Sequence, residues 1–219
     1  MELIIDEKVR ERFPDLLVLL ARLDSVEVRK VSEELEKFKL EVYERVRSRY
    51  TLESLKDDPV VKLYRNFFWR IGIDPTKIRP ASEALIRRIL SGEELPTINT
   101  LVDSYNLASA ESGVALAAFD ADKIEDSMLM RFAEQGESFH GIGMKEPRIL
   151  KGGELVISDS KRLIAIYPYR DADYSKVTLQ TRNIYLMTCG IPGLSPPKLR
   201  EAEELAVKYI IRFCGGRRV

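Results

Sequence analysis

Three polar residues recur along one stretch of the chain at the spacing of a helix face: Asn99, Asp103 and Asn106, with Ala110 completing the line. At about 100° per residue these positions fall within about 60° of one another. Leu101, Val102, Tyr105 and Ala108 lie on the opposite side. Solvated helix faces are usually built from Lys and Glu, whereas Asn and Asp lower helix propensity and offer directional hydrogen bonds. The stripe therefore reads either as the wall of a binding site or as a buried polar network. As a site it would orient a polar ligand or a water, with Asp103 and Asn106 as candidates for the chemistry and Asn99 as a binding group. His140, the only histidine, is the third chemical candidate, because imidazole titrates near neutrality. It adjoins Gly141-Ile142-Gly143, which lacks the third glycine and following helix of a dinucleotide fingerprint and reads as a tight turn. No serine stands in a Gly-x-Ser-x-Gly context. A second polar cluster, Tyr169-Arg170-Asp171 and residues 173–176, forms a loop between strand-like runs, where binding groups often sit.

The composition bounds what these residues can serve. The chain has 219 residues, 45% hydrophobic and 32% charged, enough for one globular domain with or without an extension. No apolar run approaches the ~18 residues of a membrane span, and the N-terminus carries charges where a signal peptide needs an apolar core, so the expectation is a cytoplasmic protein with no membrane partner. Two distant cysteines, Cys189 and Cys214, make neither a disulfide framework nor a metal site, and one histidine removes most zinc sites. No metal and no cofactor are expected. Abundant Glu, Lys and Arg beside few Gln, Asn and His resemble thermophile usage. Net charge is zero but unevenly spread. Between Lys62 and Arg88 seven basic residues face two acidic ones, whereas between Asp120 and Glu137 six acidic residues face two basic ones. Such runs are usually solvated faces; a local positive segment can also steer a polyanion.

The elements that must position these groups follow from periodicity. Leu3–Ile5 and residues 16–23 read as strands split by a charged helix ending at Pro14. Residues 28–50 read as a helix with Val31, Leu35, Phe38, Val42 and Val46 on one face. A helix over 60–71 stops at Gly72 and the Asp74-Pro75 turn, and a second begins at Pro80, where Ser82 and Glu83 suit a cap, and ends at Ser91-Gly92. The stripe helix is expected over 96–109. Strands are expected over 114–119, 128–132, 154–157, 163–167, 177–179 and 184–188, and a closing helix from Ser195-Pro196-Pro197 to Gly215-Gly216. Helices first, strands second and a last helix argue α+β, not a doubly wound sheet. Residues 1–55 read as an N-terminal strand and helix extension packing on a core of 56–219.

Residues 64–188 resemble a known family. FFWRIGIDPTKIRPASEAL, the LPTINTLVDSYNLAS helix, AAFDADKI, GELVISD and the Thr181-Arg182-Asn183 strand are together similar to the B3/B4 domain of the phenylalanyl-tRNA synthetase beta subunit. The resemblance implies a β-rich B3/B4-type core flanked by helices and an editing activity, hydrolysis of tyrosine wrongly esterified to the phenylalanine tRNA. It aligns the family's helix asparagine with Asn106. Where bacterial members carry a His the chain has Ala117, and their editing-site Glu falls at about Met187. A chain of this length has no room for the synthetase's other domains. The implied function is a freestanding deacylase acting in trans, with Arg79 or Arg170 meeting the phosphates of the tRNA acceptor end. The alternative is a non-catalytic module that binds tRNA or a small amino-acid-like ligand; DNA is not expected as a partner.

Overall fold

Strands from both ends of the chain meet strands from its middle in the computed structural model, which describes residues 2–219. In chain order the elements are β1 (Leu3–Ile5), α1 (Glu7–Arg12), β2 (Leu19–Asp24), α2 (Glu33–Arg49), α3 (Leu52–Leu55), α4 (Pro59–Arg70), α5 (Ala81–Leu90), α6 (Thr100–Ser112), β3 (Leu116–Asp120), β4 (Met128–Phe132), β5 (Ser138–Phe139), β6 (Arg148–Ile149), β7 (Leu155–Ser158), β8 (Leu163–Ile166), β9 (Arg170–Asp171), β10 (Ile184–Thr188), α7 (Pro196–Cys214) and β11 (Arg217–Arg218). They form a four-stranded antiparallel sheet, β11-β2-β10-β3, a five-stranded sheet, β1-β4-β7-β8-β9, parallel only at β1-β4, and the hairpin β5-β6. The architecture is α+β, with segregated helices and largely antiparallel sheets. Residues 1–55 do more than cover a core: β1 edges the larger sheet and β2 lies inside the smaller one.

Side-chain alternation on β3 and β10 divides the interior. Leu116, Ala118, Ile184 and Leu186 face a core built with α2, α5, α6 and α7, around Phe38, Val42, Leu107, Ile210 and Phe213. Ala117, Phe119, Tyr185 and Met187 face a second core shared with Met130, Ile157 and Ile164 of the larger sheet and with Phe13 and Phe67. With both faces covered, every residue of β3 and β10 is buried, which is why both strands read as continuous apolar runs. No helix among the described residues is long and apolar enough to cross a membrane.

Several boundaries differ from the periodicity. The helix expected over 28–50 begins at Glu33, because the Ser32 hydroxyl caps it by accepting from Leu35 N; Val31 is left outside and exposed. The stripe helix starts at Thr100, not near 96: Asn99 is its N-cap, accepting from Leu101 and Val102 N, and the helix runs on to Ser112 before Gly113 closes it at φ +76°. Residues 177–179 form no strand. Thr178 N donates to the Thr181 hydroxyl, which donates to Asp120, so hydroxyls take the bonds a ladder would need. Ser82 and Glu83 do not cap α5; Glu83 is fully buried and receives Arg65 and Arg87, pinning α4 to α5.

The polar stripe of α6 is mostly a buried network. Helix α6 packs on α7, α5 and α2, and its hydroxyls turn inward: Ser104 donates to Thr100 O and Ser109 to Val114 O. Asp103 accepts from Lys39 Nζ at 2.9 Å and from Ile98 N at 2.9 Å, the two side chains being 2% and 4% exposed. Burial opposes the Lys39 ammonium, but hydrogen bonds to Glu36 and Asp103 outweigh it and raise its pKa. Lys39→Met should cost about 3–5 kcal/mol in urea unfolding, because it strands the Asp103 carboxylate. The double variant with Asp103→Leu should recover part of that loss; equal losses in the single and double variants would contradict the assignment.

Candidate functional site

Of the stripe, Asn106 alone reaches a cavity. Asn99 spends its side-chain oxygen on the α6 cap, and Asp103 is held by Lys39. Asn106 is half-buried and lines a surface cleft of about 670 Å³ between α5 and α6, with Arg79, Arg87 and Arg88 on the other wall. Much of the basic charge of this region is already neutralised. Arg65 and Arg87 grip Glu83; burial disfavours the charge of Glu83, but the two arginines outweigh it and hold its carboxyl below the ordinary range. Arg88 meets Glu93 at 3.1 Å and donates to Glu94 O. Arg79, exposed at the entrance to α5, makes no ion pair among the described residues and is the free cation of the cleft.

Ala81, the first residue of α5, borders this cleft and also a smaller cavity of about 70 Å³ behind it. The inner cavity is walled by Ala115, Ala117 and Phe119 near β3, by Ala165 and Ile166 of β8, and by Met187 and Cys189 at β10. Ala117 and Met187 are register partners on adjacent strands. These are the two positions at which the resemblance placed a His and a Glu, so the structure brings them together on one wall. The remaining walls are Tyr167, Pro168, Tyr169 and Asp171.

Asp171 is the polar feature of this cavity. The Tyr167 hydroxyl donates to Gly190 O, and the Tyr169 hydroxyl accepts from Arg148. Burial pushes the Cys189 thiol up, leaving it protonated. The Asp171 side chain is half-buried at the cavity, and its carboxylate has no hydrogen-bond donor among the described residues; desolvation pushes its pKa up to about 7, opposed by the charge of Arg170. The polar character of the Tyr169-Arg170-Asp171 loop is legible in the sequence, but not which of its side chains lines the cavity. Sequence reasoning chose Arg170, whose guanidinium instead donates to Ile142 O and lies against Gly141, where a Cβ would stand 2.7 Å from its Cγ. His140 is exposed, shares a 2.8 Å hydrogen bond with Met144 O that closes its turn, and lines neither cavity. No group of three His, Cys, Asp or Glu among the described residues could hold a metal ion.

Packed helices and two sheets, with an arginine-edged cleft that opens beside an apolar cavity, define an α+β domain. Residues 63–215 match the B3/4 domain, and the chain belongs to that family. It is 36% identical over 107 residues to the phenylalanine–tRNA ligase beta subunit of Protochlamydia amoebophila, covering 48% of this chain and 13% of that protein. To the same subunit of Geobacter sulfurreducens it is 35% identical over 115 residues, covering 52% and 14%. The chain thus spans a small part of the relatives it matches. Its fold is similar to a crystal structure of an N-terminal fragment of the phenylalanyl-tRNA synthetase beta subunit from Pyrococcus horikoshii, with a TM-score of 0.52 and 16% identity, over 99% of this chain and 49% of the fragment.

The raised pKa of Asp171 has a stability consequence. With the ordinary value at 3.8 and the folded value at about 7, the folded form holds the extra proton between them, so this group's contribution is complete below about pH 4 and is lost as pH rises through about 7. Asp171→Asn removes that loss. Its melting temperature should match the parent near pH 4 and exceed it at pH 8, by roughly 2–4 kcal/mol of stability. Parallel pH profiles for the two proteins would refute the desolvated carboxylate.

Proposed function

We propose that this chain binds the aminoacylated end of a tRNA, with the acceptor strand across the outer cleft and the amino acid in the inner cavity, and hydrolyses the ester in trans. The observation that carries this reading is the junction at Ala81, where an arginine-lined surface meets a cavity of amino-acid side-chain scale. The family membership supports it, since the relatives are named for a tRNA and an amino acid. Arg79 would meet a backbone phosphate, which positions the strand without reading its sequence. Asn106 would donate to the ester carbonyl or hold the attacking water. Water adds to the carbonyl carbon, the bond to the ribose oxygen breaks, and a proton passes to that oxygen. The protonated Cys189 thiol and the outward-turned His140 are not the nucleophile and base of such a step. Positioning beside the tRNA's own terminal hydroxyl supplies the rate. The second reading, binding without hydrolysis, draws on the Ala117 and Met187 wall, where neither side chain can exchange a proton.

A panel of aminoacyl-tRNAs, each charged by a separate enzyme, tests the proposal. Hydrolysis above buffer is expected for at least one. Arg79→Glu should lower kcat/KM about tenfold or more and flatten its dependence on salt, and Asn106→Ala should lower kcat more than it raises KM. Hydrolysis of none, with retained binding in filter assays, would establish the non-catalytic module; neither hydrolysis nor binding would remove tRNA from the account.

A further inference from the structure

We propose that Trp69 is a stacking platform for an unpaired base of the RNA strand that crosses the outer cleft. The inference rests on the reading of that cleft as the seat of a tRNA acceptor end, and adds to it a contact with a base. Trp69 is the only tryptophan of the chain, and it stands 57% exposed on the last turn of α4. Tryptophan is highly buried on average, and an exposed indole leaves a large apolar, π-rich face in water. Nothing in the fold uses this one. Among the described residues its ring pairs with no other aromatic ring, no cation lies over it, and its Nε1 donates to no acceptor. The arginines beside it on α4 are turned elsewhere: Arg70 lies over the Phe13 ring at 4.9 Å, and Arg65 grips Glu83.

Its position ties it to the cleft. Lys62, Arg65 and Trp69 fall within about 60° of one another on α4. Arg65 of that row and Arg87, which lines the cleft, bond the same oxygen, Glu83 Oε1, so the outer face of α4 and the cleft wall meet over the first turn of α5. The surrounding charge suits a polyanion. Arg12, Arg70 and Arg79 are exposed and have no carboxylate partner among the described residues. Arg12 donates to Arg70 O at the end of α4, and Arg79 stands where the loop from α4 enters α5. The acid of that loop, Asp74, is occupied by Thr76 N and Oγ1, and Glu83 is buried under its two arginines. An aromatic face set among unpaired arginines suits single-stranded nucleic acid: the cations take phosphates and the ring takes a base, whatever its sequence. A duplex keeps its bases stacked on one another and offers none, so the platform selects the unpaired end of the strand.

Because Trp69 is the sole tryptophan, its emission reports the contact directly. An RNA hairpin with a single-stranded 3′ extension is titrated into the full chain, against the blunt hairpin and against an extension of abasic residues, with affinities taken from the anisotropy of labelled RNA. The extended hairpin should quench Trp69 emission, and the blunt and abasic forms should not. Trp69→Ala should weaken binding of the extended hairpin about tenfold with an unchanged dependence on salt, and Trp69→Phe should recover part of the loss. Arg79→Glu should flatten the salt dependence, which separates the base contact from the phosphate contact. Circular dichroism of the variants confirms folding. RNA binding with unchanged Trp69 emission, or with equal affinity in Trp69→Ala, would overturn the platform and leave the tRNA reading standing. Equal quenching by the abasic extension would also overturn it, by assigning the indole to the strand's backbone. Quenching by phosphatidylglycerol vesicles and not by RNA would overturn it in favour of a membrane surface. Absence of RNA binding by the parent chain would remove the tRNA reading and the platform with it.

Discussion

The hydroxyl of Tyr64 is the constraint on which the site's geometry depends. Fully buried on α4, it accepts a hydrogen bond from Ala115 N at 3.0 Å and donates to Cys189 O. Ala115 and Cys189 lie beyond the paired ends of β3 and β10, and Cys189 N donates to Ala115 O at 2.9 Å, so one side chain ties a helix to both strand ends. Tyr167 repeats the device from the larger sheet by donating to Gly190 O. The backbone is drawn so close here that a Cβ on Gly190 would stand 1.8 Å from Leu17 O, which leaves glycine as the residue that fits. Leaving any of these buried backbone groups unpaired would cost about 1–3 kcal/mol, so the strand ends, and the cavity walls they carry, have little freedom to move.

Polarity is then distributed by the same accounting. Where charge enters the interior it is paired: Lys39 with Asp103 across α2 and α6, and Glu83 with Arg65 and Arg87 across α4 and α5. They clamp α2 to α6 and α4 to α5, the two helices α5 and α6 being those that border the outer cleft. The paired groups are consumed by this work, which is why the cleft is left with Arg79 and Asn106 as its free polar side chains of substance. Asp171 is the exception, a desolvated carboxylate that clamps nothing.

How much of this was legible varies with what each residue answers to. β4 and β10 were read at their observed bounds: β10 is buried on both faces and reads as an apolar run, while β4, with alternate residues buried, is a short β-prone run between turn signals. The α+β layering followed from element order. Helix starts were misplaced where a cap outweighs periodicity, at Ser32 and at Asn99, since the same side chain on the same apparent face can end a helix or belong to it. The α6 stripe was legible as either wall or network, and only the position of Lys39, far away in sequence, decides for the network at Asp103. Asp171 was within reach as part of a polar loop, yet nothing local distinguishes an acid that faces solvent from one that a two-residue strand turns toward a cavity.

That turn inward has one structural explanation to exclude. An inward-pointing charge on a short edge strand is a known protection against pairing with other chains, and β9 is the last strand of its sheet. The edge, however, is already covered. Gly141 bridges Ala172, Ile142 N donates to Asp171 O at 2.9 Å, and Arg170 is laid over the same turn. No open edge remains for the charge to defend. Nor does the carboxylate serve the fold as an acceptor, since no donor among the described residues reaches it. A half-buried acid of raised pKa that neither protects an edge nor completes a network is left by the fold facing the cavity. Ala117 and Met187, which line the same cavity, carry no polar side-chain group.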